Sequence, residues 1–273
     1  MKWNRAVFFV GLSCVMACGA VLPAYADLLA HRAIYELKLL KTTGQNAPSA
    51  VRGLIAYDFS GSSCDGYTTN FRQMIELSPA EGDVHVTDVR STTFEDAGYK
   101  NFSFKVSTLN DGSLSAQVDG SATHGADGAL SVHLAKPKPA SFDFSAGILF
   151  PTEHMEKIIA TAKAGQTTLT RQIYDGSDDG DKIFDTMTVI GKVSTTTSEN
   201  FADRQDALKN IPRWPVVISY FEVGKPNDQP SYILSFDLYE NGVSRDMKLD
   251  YGDFVMQGEM TQFSTYPAST CVK

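Results

Sequence analysis

The 273-residue chain holds only four cysteines and two tryptophans, and nowhere a run of lysine or arginine. Acidic side chains outnumber basic ones 32 to 24, a formal net charge of −8. With no basic stripe to meet phosphates, a nucleic-acid partner is not expected, nor is simple electrostatic docking to an anionic membrane surface. After the first two dozen residues no apolar stretch approaches the roughly 18 residues that a membrane helix needs, so no membrane span is expected. Also missing are a Gly-x-Ser-x-Gly elbow, a His-Glu-x-x-His zinc helix, a phosphate loop and a dinucleotide fingerprint. No cofactor is expected, and no nucleophile or oxyanion donor set announces an enzyme. What is present is an ordinary globular balance: at 42% hydrophobic and 21% charged, the chain can bury a sizeable core rather than stay disordered.

The amino terminus sets the compartment. Lys2 and Arg5 precede an apolar stretch from Ala6 to about Val21, and Ala24-Tyr25-Ala26 places small residues where a signal peptidase reads. Residues 1–26 therefore read as a secretory signal cleaved before Asp27, which directs the chain to the periplasm or an equivalent exported space. A rival reading takes Val15-Met16-Ala17-Cys18 as a lipobox with a lipidated Cys18, but Met16 fits that motif poorly. Cleavage leaves 22 basic against 32 acidic residues, and of the cysteines only Cys64 and Cys271. In an oxidising compartment two cysteines most simply form one disulfide, with two free thiols as the alternative.

Residues 27–273 read as a single domain dominated by period-two alternation, the mark of half-buried antiparallel strands. Strands are expected near 30–40, 51–59, 67–77, 83–94, 99–108, 113–119, 130–135, 142–144, 167–174, 182–193, 215–222, 232–239, 243–251 and 253–263. Asn110-Asp111-Gly112 and Glu240-Asn241-Gly242 mark hairpins. One main helix is expected over 152–164, with Met155, Ile158, Ile159 and Ala162 on one stripe, Thr152 as cap and Gly165 as stop. A second, short helix is expected over 200–210. So many strands should curl into a barrel-like or spiral sheet with a helix covering part of its interior, giving a mainly β fold.

Three sets of residues could carry chemistry. Asp175, Asp179 and Asp181 lie in a Gly-rich stretch that matches the start of an EF-hand loop. The match fails at its twelfth position, Thr186, and its eighth, Lys182, so the carboxylates read equally as solvated hairpin residues. Phe150-Pro151-Thr152-Glu153-His154 opens the main helix as a possible structural start motif. There His154, oriented by Glu153 or Glu156, is the one candidate for a general base and hence for a hydrolase. Aromatic strand positions such as Tyr232, Phe236, Phe102 and Phe104 either fill the core or line an apolar groove for an acyl chain.

Taken together, the run at 150–154, the Tyr174-Asp175-Gly176 turn, Trp214-Pro215-Val216 with Ser219-Tyr220-Phe221, Tyr239-Glu240-Asn241-Gly242-Val243 and the Cys64/Cys271 pair resemble the EipB family of cell-envelope integrity proteins. The resemblance implies a periplasmic protein of Gram-negative bacteria that supports envelope integrity and stress resistance and has no established enzymatic activity. It also implies a many-stranded broken β-spiral closed by a disulfide, which maps to Cys64 and Cys271. The expected function is non-catalytic: binding a periplasmic protein or an envelope component. A carrier for lipid or lipoprotein acyl chains is the alternative, and a hydrolase centred on His154 a further one.

Overall fold

The structure, a computed structural model, describes residues 28–44, 48–224 and 229–267. The expected signal peptide, the Asp27 cleavage site and Cys271 lie outside the described residues.

Eight strands come first: β1 (His31–Thr42), β2 (Ala50–Ser62), β3 (Gly66–Ser78), β4 (His85–Glu95), β5 (Asn101–Asn110), β6 (Ser113–His124), β7 (Leu130–Lys136) and β8 (Ala140–Phe144). A two-residue strand, β9 (Ile148–Leu149), leads into the helix α1 (Pro151–Lys163). Six more follow: β10 (Thr168–Ile173), β11 (Phe184–Ile190), β12 (Arg213–Glu222), β13 (Tyr232–Tyr239), β14 (Ser244–Asp250) and β15 (Phe254–Thr265). All belong to one sheet in the order β8-β7-β6-β5-β4-β3-β2-β1-β15-β14-β13-β12-β11-β10-β9.

This is a meander in two halves, β1–β8 and β10–β15, joined where β1 pairs with β15. All pairs are antiparallel except β9 with β10. The outermost strands, β8 and β9, are separated by only three residues of chain yet do not pair with each other, so the curled sheet is not closed into a barrel. Register shifts between Ile34 and Tyr35 and between Leu39 and Lys41 break the central β1–β15 ladder. Such bulges bend a strand and increase its twist, as a sheet this wide requires.

Fourteen strands fall where the alternation places them. The fifteenth, β9, has two residues and no period to read. Over 200–210 the short helix is replaced by two 3-10 turns, Ala202–Arg204 and Asp206–Leu208, with Gln205 extended between them at φ −78°, ψ 128°. Local side-chain bonds win over the helix here. Asn200 Oδ1 accepts the Ala202 N–H, and the Asp203 carboxylate turns back to the Ser198 N–H and hydroxyl.

The core forms three patches. One lies between α1 and the inner face of β10–β13, with Ile158, Ile159, Phe184, Trp214, Ile218 and Leu238. A second lies along β1, β2 and β15 under the 3-10 turns, with Tyr35, Leu37, Ile55, Leu208 and Met256. The third fills the amino-terminal edge, where Phe102, Phe104, Leu130 and Val132 receive Phe150 and Tyr174 from the far half. The helix thus packs on β10 and β11 while its preceding residue anchors in the opposite half.

Candidate functional site

The helix start is built from both halves of the sheet. Pro151 takes the first helical position, where a missing N–H costs nothing. Thr152 is not the cap: the N-cap is Phe150, extended and without a side-chain cap bond of its own. Its fully buried ring stacks on Phe102 (centroids 5.0 Å) and on His124 (4.7 Å). The capping is done from a distance by Glu95 at the end of β4, whose carboxylate accepts the Thr152 N–H at 2.7 Å and the Glu153 N–H at 3.3 Å. Amide donors left open at a helix start favour an anion there. Burial nevertheless dominates and pushes the Glu95 carboxyl up to about 7. A partner 57 residues away leaves no local signal in the sequence. His124 adds a second tie, its ring nitrogens 2.8 Å from the Tyr99 carbonyl and 3.0 Å from that of Ile148.

His154 faces inward, 4% exposed. Its Nε2 lies 3.4 Å from the hydroxyl of Thr186 on β11, and Thr186 donates to the Arg171 carbonyl at 2.8 Å. Burial, helped by the Arg171 charge, pulls the imidazole down to about 4, so the ring is neutral near pH 7. The carboxylates expected to orient it are engaged elsewhere: Glu153 pairs with Lys157, and Glu156 accepts the Tyr99 hydroxyl.

Beside His154 opens a cavity of about 710 Å³ between α1 and the inner faces of both half-sheets. Its walls are Ile55, Tyr57, Thr69, Phe71, Val89 and Val106 from the amino-terminal half and Ile173, Phe184, Ile218, Tyr220, Tyr232, Leu234, Phe236 and Leu249 from the other. Pro151, Met155 and Ile158 form its helical side. The volume is that of a small-molecule site, and the wall chemistry is mostly aromatic and aliphatic. The sheet interior is therefore partly packed and partly hollow. Of the expected packed stripe, Met155 is only partly buried and Ile158 is buried, yet both border the hollow, whereas Ile159 and Ala162 are buried away from it.

The strand register gives the cavity two unlike ends. Glu222 pairs with Phe184, Tyr220 with Tyr232, and Ile233 with Asp250. The lining residues Asp175, Asp178, Glu222, Tyr232 and Tyr251 consequently gather at one end of β10–β14. Tyr251 is 40% exposed there. At the other end lie Leu238, Gly242 and Tyr35, with Leu238 and Tyr35 buried.

Asp175, Asp179 and Asp181 are not brought together around an ion position, and the described residues contain no cluster of three metal-ligating side chains. Asp175 turns to the cavity and accepts the Ser177 N–H at 2.9 Å, whereas Asp179 and Asp181 are exposed. The loop packs outward instead. Gly176 sits at φ +69° so close to Phe104 that a Cβ would come within 2.5 Å of its ring. Gly180, at φ +78°, meets Val118 and Leu134 in the same way. The buried Tyr174 hydroxyl donates to the Gly180 carbonyl at 2.8 Å, closing the turn. The glycines that looked like part of an ion loop are there to let the loop plug the other half-sheet.

A buried charge cluster escaped sequence reasoning altogether. Asp203, 3% exposed, accepts from Ser198, from the Tyr239 hydroxyl at 2.8 Å, and lies 2.8 Å from Arg245 Nη1. Arg213 and Arg245 also approach Asp237, each at 3.3 Å. The cluster fastens the 3-10 turns to β12–β14. Its members lie up to 42 residues apart in sequence, and only their charge in strand-like surroundings could have hinted at pairing.

A protein family described as EipB-like matches residues 23–267. The chain is 39% identical over 240 residues to the cell envelope integrity protein EipB of Brucella abortus (strain 2308), covering 88% of this chain and 85% of that protein. It is also similar to the crystal structure of a beta-barrel-like protein of a domain of unknown function from Brucella abortus, with a TM-score of 0.82 and 39% identity. That similarity covers 88% of this chain and 99% of the other.

Proposed function

The chain belongs to the EipB-like family, and from that premise we propose that it supports cell-envelope integrity in the periplasm by holding the aliphatic chain of an envelope component in the cavity beside α1. The observation that carries this reading is the cavity itself: about 710 Å³, walled by aromatic and aliphatic side chains, in a protein whose relative is named for envelope integrity. Burying apolar chain against such walls is favourable by about 25 cal/mol per Å² removed from water, and a preformed hollow avoids the cost of opening one. Among the described residues no helix is long and apolar enough to cross a membrane. The Cys64–Cys271 disulfide and the cleaved signal belong to the same reading, since both fit an oxidising exported space.

The test is binding of the neutral fluorophore N-phenyl-1-naphthylamine to the purified protein and its displacement by dodecanol. Val106→Trp and Ile218→Trp, which fill the cavity from opposite walls, should each weaken binding at least tenfold. They should also fail to restore detergent resistance to cells lacking the gene. Unchanged binding in both folded variants would refute the reading.

A second reading, capture of a periplasmic protein, is favoured by one feature. Met187, Val189 and Val217 are 49%, 44% and 37% exposed, and Val189 pairs with Val217 across β11 and β12, making an apolar stripe on the outer face. Val189→Glu should then abolish function in cells while leaving fluorophore binding intact.

A further inference from the structure

The cavity's polar residues say more about its occupant than its apolar walls do. Three carboxylates line it, Asp175, Asp178 and Glu222, and among the described residues no lysine or arginine does. The nearby cation Lys182 pairs with Asp178 at 3.0 Å and Glu222 at 3.5 Å. Asp175 enters no ion pair among the described residues; its carboxylate accepts from the Ser177 N–H at 2.9 Å and from the Ser177 side chain, both neutral donors. Burial raises its carboxyl above the usual range, so the site holds a carboxylate short of a counter-charge. Its other neighbours are the stacked rings of Tyr220 and Tyr232, centroids 4.2 Å apart, whose hydroxyls sense the Asp175 charge.

All three carboxylates sit at the end of the cavity where Tyr251 and Asp178 reach solvent, Asp178 with 51% of its side chain exposed. The opposite end, at Leu238 and Tyr35, is closed and apolar. An amphiphile would therefore lie with its chain inward and its head among the carboxylates.

Resting on the chain-binding reading, we propose that the occupant is an aliphatic amphiphile with a protonated amine head, and that Asp175 and Glu222 exclude anionic heads such as a free carboxylate. An ammonium would supply the missing counter-charge and hydrogen-bond donors in a partly desolvated site, where charge-assisted bonds are strongest. A carboxylate head would meet the like charge of Asp175, which no cation among the described residues neutralises, and like-charge juxtaposition acts as a barrier to the wrong ligand.

The experiment displaces N-phenyl-1-naphthylamine from the purified protein at pH 7 with dodecylamine, dodecanol and dodecanoate, which share a chain and differ in head charge. The amine should displace at a concentration at least tenfold below that of dodecanoate, with the alcohol between them. Asp175→Asn, which keeps the acceptor for Ser177, should bring the three within about threefold. Should that variant fail to fold, Glu222→Gln should narrow the gap instead. Equal displacement by all three, or strongest displacement by dodecanoate, would overturn the head-group inference and leave chain binding standing. Failure of the fluorophore and of all three amphiphiles to bind would overturn both.

Discussion

Replacing Glu95 by Gln should change how the stability of this protein responds to pH. The Glu95 carboxyl, 2% exposed, titrates near 4.5 when solvated but is pushed up to about 7 in the fold, chiefly by burial. The folded state therefore holds this proton more tightly than the unfolded chain. The stabilisation from Glu95 is fully present below about 4.5 and is lost as pH rises through about 7. The span between those values corresponds to about 3 kcal/mol. Glutamine keeps an oxygen for the Thr152 N–H and cannot ionise, so the variant lacks this slope. Urea unfolding followed by Trp214, the one tryptophan outside the first 26 residues, would be run at intervals from pH 4.5 to 8. The stability of Glu95→Gln relative to the parent should rise by about 3 kcal/mol across that range. Taking the difference cancels the other carboxylates, including Asp88 and Asp203, which are held down to about 2 and lose stability only at much lower pH. A difference that stays flat from pH 4.5 to 8 would refute the assignment of Glu95 as a buried, proton-holding cap. Glu95→Ala serves as the contrast: it also lacks the titrating carboxyl and so shows the same slope, but it orphans two helix amides and should lie roughly 1–3 kcal/mol below Glu95→Gln at every pH.

Other substitutions probe other joints. Asp203→Ala leaves Arg213 and Arg245 buried with one fewer carboxylate and should destabilise by about 3–5 kcal/mol in the same urea assay. For wild type the Asp203 contribution is present above about pH 4 and is lost as pH falls toward 2, because bonds from Ser198, Tyr239 and Arg245 outweigh burial and favour its ionised form. Gly176→Ala forces a side chain into the Phe104 ring at positive φ and should cost roughly 1–3 kcal/mol, with weakened amphiphile binding because Asp175 shifts; unchanged melting would refute the plug. If Cys64 and Cys271 are joined, reductant should lower the melting temperature of wild type but not of Cys64→Ser. The chain-entropy value for so long a loop is roughly 5 kcal/mol, and equal melting with and without reductant would refute the bond's importance.

The sequence by itself determined the local grammar. Alternation along Ile55-Ala56-Tyr57, Phe102-Ser103-Phe104 and Val216-Val217-Ile218 specifies strands because successive side chains must face opposite sides, and Asn-Gly and Asp-Gly steps specify the hairpins between them. The stripe Ile158-Ile159-Ala162 ending at Gly165 specifies the helix for the same kind of reason. Family membership was also legible, in short runs spread along the whole chain. The tertiary structure decided what depends on surroundings rather than spacing. Glu95 and not Thr152 caps α1, because the cap comes from a strand in the other half-sheet. Asp203 holds two arginines while its carboxylate also turns back to Ser198, and the expected short helix gives way to two turns. The aspartates at 175–181 part company, Asp175 and Asp178 lining the cavity and Asp179 and Asp181 facing water, because Gly176 and Gly180 are pressed against Phe104, Val118 and Leu134. Whether the rings at Tyr220, Tyr232 and Phe236 fill the interior or wall a hollow is a matter of volume left between two curved half-sheets and a helix. Periodicity tells which face a side chain takes, and it carries no measure of the distance to what stands opposite.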